Sequence, residues 1–466
     1  MRHHGGCGQS AELIFMETPI CDFVREYSSS NALRLHMPGH KGQSFLGMEY
    51  LDITEIDGAD SLYEADGIIA RSEAKASQLF GCKTLYSTEG SSQCIRAMLY
   101  LVQLHARKNG KKAHIAAGRN AHKTFLTAAA LLDMDVDWLY PKVDAGYLSC
   151  SLTAEDISSY LEKTIDKPAA IYMTNPDYLG NLVDIASIAE VCHQNGVLLA
   201  VDNAHGAYLK FLPQSLHPMD LEADLCCDSA HKTLPVLTGG AYLHISEKLP
   251  EDIAVQAKNA MAIFGSTSPS YLILQSLDRA NIYLDTYKEK LTPFLEQVYT
   301  LKKALQKYGY SLSGNEPLKI TIAAKPYGYS GTALAEILIR QGLVPEFADS
   351  DYLVLMLTPE TGREGLQRLH TALQQIPRQT PIADNAPPLR PGTQAMSIRE
   401  AMLSCSEAIP VSKSLGRILA VPTVGCPPAV PIVVCGERID DHAIRCFAYY
   451  GISECCVVKE YRGDNL

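Results

Sequence analysis

Between Thr84 and His244 the chain alternates short β-rich runs with stretches of helical periodicity, and no other feature restricts its fold as much. The runs are TLYS, HIAA, VDWLY, AAIYMT, VLLAV, DLCC and AYLHI. Strands joined through helices lie parallel, with helices covering both faces of the sheet. Ligands of such sheets sit at the carboxyl ends of the strands, and the polar residues interrupting this region fall at those ends.

A length of 466 residues suits more than one domain. After Ser268-Pro269 an amphipathic helical stretch runs from Tyr271 to about Tyr308, with Gly309 as its stop. LKITIAA and YLVLMLT then read as strands of a smaller α/β unit. Residues 374–394, rich in proline and polar side chains, read as a linker. Beyond them SIREAMLSC predicts a helix and the segment around PIVVC short strands. The expected division is an N-terminal arm (1–30), a large domain (31–270), a small α/β domain (271–380) and a C-terminal α+β unit (381–466), with Met16 as an alternative start.

A net charge of −11 with no run of Lys and Arg argues against a nucleic-acid partner. No apolar stretch reaches the roughly 18–20 residues of a membrane helix, and MRHHGGCGQS leads into no signal-peptide core, so a cytoplasmic protein is expected. The fourteen cysteines read as reduced thiols without metal-knuckle spacing. His36 and His40 enclose Pro38 and Gly39 and cannot share a helix face, so no metal is expected.

VDNAHGAYLK (201–210) sets an aspartate and a histidine at the end of what otherwise reads as a buried strand. A buried carboxylate without a partner is costly, so Asp202 calls for a cation. Lys232, in CCDSAHKTLPVLTGG, follows another short β run. A lysine on a strand-end loop facing the same cleft suggests imine chemistry, although most lysines are solvated surface residues. STEGSSQCIRAML places Gly90, Ser91 and Ser92 between a strand and a helix. Free N–H groups and two hydroxyls there favour a phosphate, and the same serines also suit an ordinary helix cap. His122, in GRNAHKTF, stands at a further strand end, where an imidazole covers a planar ligand or satisfies local structure. Together these are the parts required by pyridoxal 5′-phosphate (PLP): a lysine, an anion nest, and a carboxylate that keeps the pyridine nitrogen protonated.

The chain resembles the Orn/Lys/Arg decarboxylases, PLP enzymes of the aspartate-aminotransferase-like fold (fold type I), in a short form without an N-terminal receiver-like domain. The blocks that carry the resemblance are LHMPGHKG (35–42), TEGSS, RNAHKT, TNPDYLG (174–180), VDNAHGAY, DSAHKTLP, GSTSPSY (265–271), IREAMLSCSEAIPVSKSLGRI and CPPAVPIVVCGERI. It implies a mainly parallel seven-stranded large domain, with Lys232 as the Schiff-base lysine and Asp202 on the pyridine nitrogen. His122 would stack on the ring, with Ala204 against it. Ser91, Ser92 and Ser229 would bind phosphate, and Thr267 the phosphate of a neighbouring subunit's cofactor. Gly90 and His205 would complete the cofactor contacts, and His231 would act near the substrate Cα. A homodimer or an assembly of dimers follows from the same resemblance.

Three places depart from the pattern. In residues 58–73 only Asp60 and Leu62 of an Asp-Asp-Leu group are kept, and Tyr63-Glu64-Ala65-Asp66 replaces the usual continuation, near the cleft in the family. Asp177 adds a charge to TNPDYLG and reads as a solvated loop residue rather than an attractor of basic substrate. Glu437, in CGERI, is the candidate partner for a substrate's distal cation, or else a surface glutamate; Cys435 stands where the family has proline.

The expected activity is decarboxylation of a basic amino acid, arginine slightly before lysine or ornithine, to the amine and carbon dioxide. An aminotransferase or lyase is the alternative, with Arg363 in an apparent turn as a weak carboxylate clamp, and a non-catalytic homologue is the last reading.

Overall fold

The computed structural model describes residues 18–141, 146–422 and 429–460. All seven expected runs form strands: β1 (Lys83–Ser87), β2 (His114–Gly118), β3 (Asp135–Leu139), β4 (Ala170–Thr174), β5 (Leu198–Asp202), β6 (Leu225–Asp228) and β7 (Ala241–Ile245). They form one sheet in the order β1-β7-β6-β5-β4-β2-β3. Neighbours from β6 to β3 are parallel, while β7 runs antiparallel between β6 and β1. The carboxyl ends of β1, β2, β4, β5 and β6 therefore share one side.

Strand residues alternate between two cores, as the period of two dictates. Ile115, Ala170, Tyr172 and Ala200 face one core with Ile95, Leu99 and Phe125; Ala116, Ile171, Leu199 and Val201 face the other with Ile157, Ile185 and Ile188. Sheet residues buried on both sides explain why these runs are almost wholly apolar. Helices α1 (Pro19–Ser29) and α2 (Ile68–Phe80) pack in a further core with Tyr86 and Tyr242, while α3 (Ser91–Lys108), α4 (Lys123–Leu132), α5 (Ala154–Lys163) and α6 (Ile185–Gln194) cover those two faces. Short helices α7 (Ala230–Thr233), α8 (Glu251–Ala254) and α9 (Ala257–Ile263) follow.

The stretch expected as one helix from Tyr271 divides at Thr286 into α10 (Tyr271–Asp285) and α11 (Tyr287–Lys307), and Gly309 follows with φ +94°. Strands β8 (Ser311–Ser313), β9 (Lys319–Ala323), β10 (Phe347–Ala348) and β11 (Tyr352–Met356) form an antiparallel sheet in the order β10-β11-β9-β8, beside α12 (Gly331–Arg340) and α13 (Gly362–Gln375). Residues 377–392 form no helix or strand. Beyond them β12 (Thr393–Gln394), α14 (Ile398–Leu403), β13 (Ser406–Pro410), β14 (Glu437–Arg438), α15 (Asp441–Tyr449) and β15 (Glu454–Val458) make two antiparallel pairs, β12 with β14 and β13 with β15. The strands expected around PIVVC do not form, because side chains satisfy that backbone instead. Arg119 donates to the carbonyls of Pro431 (2.8 Å) and Ile432 (2.9 Å), and the Glu437 carboxylate accepts from Val434 N–H (2.7 Å). No helix among the described residues is long and apolar enough to cross a membrane.

Candidate active site

The shared carboxyl ends open into a cleft of about 580 Å³. Gly90, Ser91 and Ser92 reach it from β1, His122 from β2, and Thr174 from β4. Asp202, Ala204 and His205 follow β5, and Ser229, His231 and Lys232 follow β6.

Gly90 takes φ +70°, a conformation that glycine adopts without penalty, and donates its N–H to the Gly239 carbonyl at 2.7 Å. That turn delivers the N-terminus of α3, where Ser229 Oγ donates to Ser91 Oγ at 2.8 Å and Ser92 Oγ lies 3.2 Å from Thr124 Oγ1. Three hydroxyls and the exposed N–H groups of an 18-residue helix form an anion nest. His122 caps α4, its Nδ1 accepting from Thr124 N–H at 3.1 Å. Burial, with Lys232 nearby, pulls its titration down to about 4, so the ring is uncharged at neutral pH.

Asp202 is 2% exposed. Tyr172 OH donates to it at 3.1 Å and Ala204 N–H at 3.2 Å, with Cys227 Sγ at 3.7 Å. Burial pushes its carboxyl above the usual range, with Lys232 pulling the other way. Burial lowers Lys232, opposed by Asp202 and Glu346. His231 donates from Nδ1 to the Gly240 carbonyl at 2.9 Å, and burial holds it below the usual imidazole range.

These residues fit PLP on two observations. Asp202 is a buried carboxylate without a full counter-ion, which a pyridinium would supply. Thr174 Oγ1 lines the cleft, is buried, and has no hydrogen-bond partner among the described residues.

Other sequence candidates stand elsewhere. Thr267 is exposed on the loop before α10, which meets the rim where Ser266 N–H donates to the Glu89 carboxylate. Glu437 does not line the cleft. It is nearly buried, 3.8 Å from the Arg119 guanidinium and hydrogen-bonded to Val434 N–H, so its charge is already matched. Arg363 lies in the first turn of α13, not in a free turn, and lines a groove with Glu296 and His370 away from the cleft. Asp177 is no solvated loop residue: 3% exposed, it accepts from Asn181 N–H (2.9 Å) and Nδ2 (2.7 Å) and ties off its own turn. In the 58–73 segment the Asp60 carboxylate accepts from Gly67 and Ile69 N–H at the start of α2, and Tyr63 OH accepts from Gln93 on α3.

Sequence reasoning missed Glu346 and Tyr178. Glu346 enters the cleft just before β10, and its carboxylate accepts from Tyr178 OH at 3.1 Å. Pro345-Glu346 ahead of a two-residue strand offers no motif; only the packing of the second sheet against the first brings the glutamate to Lys232. Below the cleft, His217 Nε2 and His244 Nε2 each lie 3.0 Å from the same Asp228 oxygen, a group of metal-ligand type that is bonded within itself.

Residues 18–324 match the family description "Orn/Lys/Arg decarboxylase, major domain", and residues 387–457 match "Orn/Lys/Arg decarboxylase, C-terminal domain". The arginine decarboxylase of Bacillus subtilis is 28% identical over 464 residues, covering 92% of each chain. The arginine decarboxylase of Halalkalibacterium halodurans is also 28% identical, over 91% of each. Among solved structures, the lysine decarboxylase of Francisella novicida superposes with a TM-score of 0.77 at 16% identity, over 96% of this chain and 82% of that one. The constitutive lysine decarboxylase of E. coli gives 0.73 at 17% identity, over 95% and 82%.

Proposed function

The chain belongs to the Orn/Lys/Arg decarboxylase family, and from that premise we propose that it is a PLP-dependent decarboxylase whose substrate is a basic amino acid, arginine before lysine or ornithine. The observation that carries this reading is the convergence of Lys232, Asp202 and the Ser91, Ser92 and Ser229 hydroxyls on one cleft with an acidic side chain, Glu346, at its mouth.

When bound, the cofactor supplies an electron sink for the pair left on Cα after carbon dioxide departs. The chain supplies position and charge. The α3 N-terminus and its serines would hold the phosphate. Asp202 would keep the proton on the pyridine nitrogen, a role that matches its buried setting. The uncharged His122 ring would cover one face, and Ala204, with no side chain beyond Cβ, would leave room at the ring. Lys232 would carry the cofactor between turnovers. With Nδ1 committed to the Gly240 carbonyl, His231 has Nε2 as its exchangeable position, and it would donate to Cα only after taking up a second proton there.

Glu346 takes the role expected of Glu437. A desolvated ammonium or guanidinium needs a carboxylate partner, and Glu346 lines the cleft while Glu437 does not. The two relatives named arginine decarboxylases favour arginine. Dimerisation is supported by the exposed Leu33, Leu35, Phe45 and Leu46, large apolar side chains gathered in one segment.

The test is carbon dioxide release by the purified, PLP-loaded protein with arginine, lysine and ornithine supplied separately, and Lys232→Ala as control. Release from arginine, absent in the variant, is the expected result. Release from none of the three while the cofactor's visible band is present would refute the reading.

A further inference from the structure

His205 lies between two lysines. Its Nε2 is 2.9 Å from Lys232 Nζ, and its Nδ1 is 3.4 Å from Lys319 Nζ, on β9 of the second sheet. The ring is 5% exposed, with the Tyr178 ring edge-on at 5.2 Å. Burial and the two lysines hold this imidazole well below its usual range, so it is neutral and carries one N–H. Lys319 is anchored as a cation: it is buried, pairs with Glu316 Oε2 at 2.9 Å, and donates to the Asp177 carbonyl at 3.4 Å. Glu316 in turn accepts from Tyr208 OH at 3.2 Å.

An ammonium offers only hydrogens, so His205 Nδ1 must present its lone pair to Lys319. The single ring hydrogen then sits on Nε2 and points at Lys232, which can complete that bond only by accepting it. We propose that Lys319 is a positioning residue that fixes the His205 tautomer and thereby holds Lys232 as a free amine. This rests on the reading of Lys232 as the cofactor-bearing lysine. It matters because the amine's lone pair makes the bond: Nζ joins the cofactor's aldehyde carbon, two amine hydrogens leave with the carbonyl oxygen as one water, and a C=N bond is left.

The other groups facing the pair are accounted for. Asp202 from β5 and Glu346 from before β10 favour the ammonium, and Cys227 from β6 acts in the same direction. His122 and His231 are held neutral by burial. Tyr178 gives its hydroxyl to Glu346. The relay therefore works against the two carboxylates.

The test follows the rate of PLP capture by the full-length, cofactor-free chain, read as growth of the visible band across pH. Removing Lys319 alone would strand a buried Glu316, so the variant is Glu316→Gln/Lys319→Met, compared in the native and His205→Ala backgrounds. The relay predicts that the pair variant moves the capture midpoint up by about one pH unit, a roughly tenfold slower rate below it, and that this shift disappears in the His205→Ala background. An equal shift in both backgrounds means that the Lys319 charge acts through space, and it would overturn the relay. So would no shift at all. Should the pair variant not fold, the native chain gives a second reading: capture stays level between pH 7.5 and 9.5 if Lys232 is a free amine, whereas a rise of about tenfold per unit over that range, the mark of a resting ammonium, contradicts the proposal. Capture that survives Lys232→Ala would remove the cofactor-lysine reading with it, while capture that needs Lys232 but ignores Lys319 removes the relay alone.

Discussion

β5 and β6 lie side by side and each ends in a buried aspartate, yet the two carboxylates live in opposite settings. Asp228 has both oxygens taken: Asn203 Nδ2 at 2.6 Å on one, His217 and His244 at 3.0 Å on the other. Its carboxyl is held well below the usual range despite burial, and the His244 imidazole is raised. Asp202, one strand over, has a hydroxyl, one N–H and a thiol, and its carboxyl is raised. Burial is nearly the same, so partners make the difference. A carboxylate supplied with its own donors, a raised imidazole among them, holds the fold together; one left short of them waits for a cation from outside.

The comparison breaks most easily at Asp228. Asp228→Asn, which leaves buried imidazoles without their charge partner, should cost about 3–5 kcal/mol of stability in thermal or denaturant unfolding while the cofactor's visible band is kept. Its pH dependence has a definite sign. The depressed Asp228 carboxyl contributes stability above about pH 4 and loses it as pH falls; the raised His244 contributes fully below about pH 6.5 and loses it as pH rises. A plot of Tm against pH should therefore show a plateau between those limits in the native chain and a flatter curve in the variant.

Asp202→Asn should do the reverse: carbon dioxide release falls about 10²–10³-fold, while the cofactor-free chain melts no lower than the native one, since a buried charge has been removed. A lower Tm for that variant would erase the distinction. Smaller again, Glu346→Gln should raise KM for the basic substrate about 10–100-fold with little change in kcat. A fall in kcat alone would place Glu346 in the chemistry instead of recognition. Least of all, Tyr172→Phe removes one hydrogen bond from Asp202 and should weaken cofactor retention by about 1 kcal/mol in an absorbance titration.

The strands and their order of chemistry could be read from the chain because sheet burial leaves an unmistakable pattern: apolar runs ending in Asp202, in Asp228-Ser229 or in Ser87 are legible wherever both faces are covered. Lys232 and the serines follow, since each lies within a few residues of a strand end. Glu346 and Lys319 do not. They come from the second sheet, and what aims them at the cleft is the docking of one layer on another, which no local pattern encodes. Asp177 misled because loop residues usually face water, whereas Asn181 folds this one inward. Glu437 misled because its neighbours fit a motif while Arg119, about 300 positions away in sequence, had claimed its carboxylate. The break at Thr286 passed unseen because the apolar periodicity continues through it.

The antiparallel seat of β7 also sets a timetable for synthesis. Lys83 on β1 pairs with Ile245 on β7, 162 positions later, and β6 waits for the same strand. At ribosomal speed about 10–30 s separate the emergence of the two partners. During that interval β1 has no place in the sheet, and once β6 has emerged near its end that strand is an open edge, the kind of surface on which chains join one another. The last strand of this sheet to be made is the keystone between the first and the sixth, so a newborn chain is most exposed to aggregation shortly before residue 245 appears, and a translational pause there would lengthen the hazard.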